Sequence, residues 1–156
     1  MRSLIVGYGN PLRGDDAVGW VVATQLFQEL GGGDCDVRTL HQLLPELADD
    51  LGHFDIVVFV DASATESPGA VRVRELTPPC TAQSESFTHH FDAAKLLALC
   101  RSLWGRSPQA FLVTIGGADF GFSETLSPQG ARAAQEAVRY VKALLRLCER
   151  GLVSRR

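Results

Sequence analysis

Short β-branched runs alternate with longer stretches of helical period along the chain, the pattern of a layered α/β fold. Leu4-Ile5-Val6 reads as a buried strand ending at Gly7. From Ala17, apolar residues Val18, Val21, Val22, Leu26, Phe27 and Leu30 recur at helical spacing until Gly31-Gly32-Gly33 stops them. A second strand is expected at 37–40, then a short helix opened by Pro45 and carrying Leu47, Ala48 and Leu51. Ile56-Val57-Val58-Phe59-Val60 is apolar on both faces, as a central strand covered on each side must be, and Asp61 ends it. Val71, Val73 and Leu76 alternate with Arg72, Arg74 and Glu75 after the turn Ser67-Pro68-Gly69, which predicts a half-exposed antiparallel strand near an edge. Asp92 is a suitable N-cap for a helix bearing Leu96, Leu97, Leu99, Cys100, Leu103 and Trp104, ended by Gly105. A further strand spans 110–115, and Ser127-Pro128 opens a closing helix whose stripe is Ala134, Ala137, Val138, Val141, Leu144, Leu145 and Cys148.

The expected architecture is therefore one three-layer α/β domain over residues 1–150, with a frayed tail at 151–156. Its sheet is twisted, mostly parallel but mixed, of about five strands with helices on both faces. A length of 156 residues leaves no room for a second core, and 46% apolar with 21% charged residues is ordinary globular composition. Fifteen Lys and Arg against eighteen Asp and Glu give a formal charge of −3, so there is no overall positive field for nucleic acid or an anionic membrane. The opening apolar run is too short for a signal peptide, and no stretch approaches a membrane span, so a cytoplasmic location is expected. Cys35, Cys80, Cys100 and Cys148 are scattered without a C-x-x-C pair, which predicts free thiols and no zinc knuckle.

In an open α/β sheet ligands bind beyond the carboxyl ends of the strands. The residues there are Gly7-Tyr8-Gly9-Asn10-Pro11-Leu12-Arg13-Gly14-Asp15-Asp16, then Asp61-Ala62-Ser63, then Gly116-Gly117-Ala118-Asp119-Phe120-Gly121. The first loop departs from a dinucleotide fingerprint, with Leu12 where the third Gly belongs, and its two carboxylates occupy the place of a phosphate. Helix capping by one of Asp15 and Asp16 leaves the other for a ligand. Asp61 leaves the end of the central strand; its structural alternative is an Asx-turn with Ser63. Thr88-His89-His90 precedes the Asp92 helix, and two carboxylates with one imidazole on a common rim would suit nickel or zinc. His41 and His53 read as loop residues, with His41 able to shape a substrate groove, and no nucleophile elbow surrounds Ser63 or Ser86.

Ile5-Val6-Gly7-Tyr8-Gly9-Asn10-Pro11-Leu12-Arg13-Gly14-Asp15-Asp16-Ala17-Val18-Gly19, His41-Gln42-Leu43-Leu44-Pro45-Glu46-Leu47-Ala48, Val60-Asp61-Ala62 and Leu126-Ser127-Pro128 together resemble the hydrogenase maturation endopeptidases. The resemblance runs in order over nearly the whole chain, and the His41 to Leu47 segment points to the branch serving NAD-reducing, bidirectional nickel–iron hydrogenases. It implies an α/β aspartic-type peptidase that removes the C-terminal extension of a hydrogenase large-subunit precursor after nickel insertion, so activating the hydrogenase. It also implies Asp16, Asp61 and His89 as the catalytic, metal-contacting residues, with His89 preferred to His90 by its distance from Leu96-Leu97. Nickel would be supplied by the precursor, the partner, and a monomer is the simplest state. The alternatives are a nickel checkpoint or chaperone that grips the precursor without cutting it, and a nucleotide-binding domain using the Gly7/Gly9 loop.

Overall fold

The computed structural model describes residues 1–78 and 92–153. Five strands form one sheet in the order β2-β1-β3-β5-β4. They are β1 (Ser3–Tyr8), β2 (Cys35–Leu40), β3 (Ile56–Ser63), β4 (Val71–Leu76) and β5 (Gln109–Gly116). The first, second, third and fifth run parallel, whereas β4 lies antiparallel on β5 at the edge. The expected half-exposed strand is in fact covered thinly on both faces, with Val73 exposed beside Arg72, Arg74 and Glu75 and only Val71 and Leu76 part-buried, as an edge position allows.

The helices are α1 (Val18–Leu30), α2 (Leu47–Leu51), α3 (Ala93–Trp104) and α4 (Pro128–Glu149). Strand parity divides the core between them. Ile5, Ile56, Val58, Val60, Val113 and Ile115 face α1 and α4, meeting Val18, Val22, Leu26, Ala137, Val138 and Val141. Leu4, Val6, Val57, Phe59 and Leu112 face α2 and α3, meeting Leu47, Leu51, Leu96, Leu97 and Cys100. The caps read from sequence are formed: the Asp92 side chain accepts from the Lys95 amide at 2.8 Å, and Ser127 Oγ from the Gly130 amide at 3.0 Å. Each satisfies an amide that the first turn leaves without a partner.

Gly7 and Gly19 let α1 lie on β1 backbone to backbone, because a Cβ on Gly7 would enter the Gly19 carbonyl. The chain leaves β1 for β2 on one side and later returns to β3 on the other side of β1. The gap beyond the carboxyl ends of β1 and β3 is therefore the switch point of the sheet, where the two crossover connections part and leave a crevice.

Candidate functional site

Asp16 and Asp61 line the same cavity at that switch point. It encloses about 380 Å³ and is bordered by Tyr8, Gly9, Asp16, His41, Gln42, Leu43, Asp61 and Asp92.

Asp16 reaches it from a 3-10 turn, Gly14–Ala17, inserted between β1 and α1. Gly9, at φ 141°, brings the preceding loop against the Asp16 carbonyl, where any side chain would collide. Asp16 Oδ2 accepts the Asn10 amide at 2.7 Å, which closes the loop over the carboxylate. The glycines thus serve loop packing, in place of the pyrophosphate approach that a nucleotide-binding loop requires. Trp20 braces the same loop by donating from Nε1 to the Gly9 and Leu40 carbonyls, at 3.0 and 2.9 Å. Its ring meets His41 edge-on, at 5.3 Å between centroids, and so sets His41 at the cavity rim.

The expectation that one of Asp15 and Asp16 caps the first helix is corrected. The cap positions of the 3-10 turn and of α1 are Arg13 and Ala17, neither of which makes a side-chain cap bond. Asp15 instead turns inward and is fully buried. It accepts the amides of Ala118, Asp119 and Ser127 at 2.7, 3.1 and 2.8 Å, and the Ser127 hydroxyl at 2.6 Å. Burial opposes its ionisation, but these four donors outweigh it, and its pKa lies below the ordinary carboxylate value. Asp15 is a clip that holds the loop after β5 and the start of α4 against the loop bearing Asp16. Asp119, in the Asp-Phe-Gly triplet, is used locally, accepting the Gly121 amide at 2.9 Å.

Asp61 stands near the end of β3, beside Thr114 of β5. It makes no turn with Ser63, whose hydroxyl serves Thr65 and Glu66. Burial, with the negative charge of Asp16 added, pushes the Asp61 carboxyl up to about 7, against the opposing effect of the neighbouring Tyr8 hydroxyl. A carboxylate whose charge is disfavoured by burial and by a second carboxylate at the same crevice is one that a cation would relieve. Asp92, the α3 cap, adds a third carboxylate to the wall. Among the described residues no three His, Cys, Asp or Glu side chains are grouped to enclose a metal. Asp16 and Asp61 suit a divalent ion as oxygen ligands on one side, which leaves its remaining positions open. His89 and His90 lie outside the described residues.

None of the described cysteines borders this cavity. Cys35, Cys100 and Cys148 are free, Cys80 lies outside the described residues, and burial raises the pKa of both Cys100 and Cys148. Tyr8 and the buried role of Asp15 are what reading the sequence missed. For Tyr8 a signal existed, since it follows Leu4 and Val6 at the two-residue period of β1 and so faces the same side as Asp61.

No family model matches the chain, and no curated protein matches it by sequence. Solved structures do match. The hydrogenase maturating endopeptidase HybD from E. coli superposes with a TM-score of 0.73 at 23% identity, over 94% of this chain and 93% of that one. This chain has the hydrogenase maturation endopeptidase fold. The nickel–iron hydrogenase maturation protease HycI from Thermococcus kodakarensis gives 0.72 at 24% identity, covering 93% and 92%. A hydrogenase 2 maturation peptidase from a thaumarchaeote gives 0.70 at 23%, covering 94% and 99%. Each superposition thus spans more than nine-tenths of both chains. The described part also contains no helix long and apolar enough to cross a membrane.

Proposed function

We propose that this protein is an endopeptidase that removes the C-terminal extension from the large-subunit precursor of a nickel–iron hydrogenase once nickel is in place. The observation that carries this reading is the convergence of Asp16 and Asp61 on one crevice at the switch point of a fold shared, end to end, with solved hydrogenase maturation proteases.

The nickel belongs to the substrate. Held by the precursor, it would meet Asp16 and Asp61 from the open side, and docking on the metal would place the adjoining tail in the crevice. His89 is the third contact in this proposal. Support for it is that Asp92, three residues on in the sequence, lines the same cavity. A carboxylate of the crevice would serve as general base on the attacking water, or the cation would polarise the scissile carbonyl. The protein acts where precursors are assembled, in the cytoplasm.

Mass measurement of a nickel-loaded precursor before and after incubation tests the reading. A product shortened at its C-terminus is expected, and Asp16→Ala and Asp61→Ala are each expected to lower the rate at least about 100-fold, the scale of losing a group that acts on the reacting atoms. A precursor that is bound but keeps its full mass would make the protein a non-cleaving checkpoint instead.

A further inference from the structure

Tyr8 is the last residue of β1, and its position beside Asp61 follows from the sheet. The parallel register pairs Gly7 with Val60, so the next step sets Tyr8 against Asp61 on the same face. The Tyr8 side chain packs on the core between the sheet and helices α2 and α3 and also borders the cavity. There it adjoins the Asp61 carboxylate and favours its charged form, as does the Ala62 amide. A ring fixed in a core leaves its hydroxyl little freedom. A phenol set by the core therefore flanks Asp61 within the sheet, while Asp16 borders the same crevice.

We propose that Tyr8 is a positioning residue whose hydroxyl holds one oxygen of Asp61 and thereby presents the other to a divalent cation shared with Asp16. This rests on the cation contact of the proposed function. A carboxylate that must hold a ligand loses orientational freedom when the ligand arrives, and a hydrogen bond from a fixed neighbour meets that cost beforehand. Phenylalanine would keep the ring, and with it the packing, while removing the one atom the proposal depends on.

The test is calorimetric titration of nickel(II) alone, repeated with cadmium(II), into the full chain and its Tyr8→Phe, Asp61→Ala and doubly substituted forms. Removal of an outer partner of a metal ligand weakens binding about 10-fold to 100-fold, and that loss is expected for Tyr8→Phe. In the Asp61→Ala background the same change is expected to cost nothing further. Thermal unfolding accompanies each titration, and Tyr8→Phe is expected to melt within a few degrees of the parent, about the shift a single lost hydrogen bond produces. Wild-type affinity in Tyr8→Phe, with binding lost in Asp61→Ala, would overturn the role of Tyr8 and leave the proposed function intact. An equal loss with and without Asp61 would also overturn it, since Tyr8 would then act by another route. Absence of cation binding by the parent chain would overturn both the cation site and the role of Tyr8.

Discussion

Asp15 and Asp16 are neighbours in the chain with opposite surroundings. The Asp15 carboxylate is buried and surrounded by donors, whereas that of Asp16 is turned to a cavity and takes one amide. Asp15→Ala would leave four donors without their acceptor, and at about 1–3 kcal/mol for each that water cannot reach, a loss of roughly 3 kcal/mol or more is expected by urea unfolding. Asp16→Ala removes one partly buried acceptor, and its stability is expected to fall by only about 1 kcal/mol. Asp61 supplies a pH signature. Its carboxyl is raised from the ordinary 3.8 to about 7, so the folded chain holds a proton that the unfolded chain releases. Its contribution is fully present below about 4, decreases as the pH rises, and is lost above about 7. Asp61→Asn stays neutral throughout. Its stability relative to the parent is therefore expected to improve between pH 5 and pH 8, by on the order of 1 kcal/mol. Of these residues Asp61 was legible in the sequence, because it directly follows five apolar residues that had to be a central strand. The clip made by Asp15 was not, because its partners lie 103 to 112 residues away.

At the scale of elements, the short path from β1 to α1 brings Asp16 to the crevice. The apolar stripe predicts a helix from Ala17, and the structure has a 3-10 turn over Gly14–Ala17 before α1 begins at Val18. The difference has a physical source. The Gly14 and Asp15 amides donate to the carbonyls of Ser123 and Asp119, at 2.9 and 2.8 Å, so the loop after β5 takes bonds that a regular helix start would not make. The backbone contact of Gly7 with Gly19 fixes the height of α1 over the sheet. Gly7→Ala would force the two apart, at an overpacking cost of about 1–3 kcal/mol. It is expected to slow precursor cleavage more than an alanine at an exposed α1 position such as Gln28, because Asp16 moves with the helix. Steady-state cleavage beside urea unfolding checks both effects. Helices α3 and α4 were legible to within a residue at their starts, since Asp92 and Ser127-Pro128 are local signals needing no knowledge of the rest of the chain.

For the whole molecule, alternation and burial identified a mixed α/β sheet and an antiparallel edge strand, but not the order β2-β1-β3-β5-β4. An apolar run shows that a strand is covered on both faces and leaves its neighbours unspecified. Yet that order makes the crevice of the candidate site: with β2 and β3 on opposite sides of β1, the residues after β1 and at the end of β3 face one gap. The formal charge of −3 is small for 156 residues, while Asp16, Asp61 and Asp92 concentrate negative charge around that gap. The most direct test is the mass of the large-subunit precursor after incubation in two forms, one loaded with nickel and one free of it. The account predicts C-terminal shortening of the loaded form alone, abolished by Asp61→Ala. Equal cleavage of both forms, or undiminished cleavage by Asp61→Ala, would contradict it.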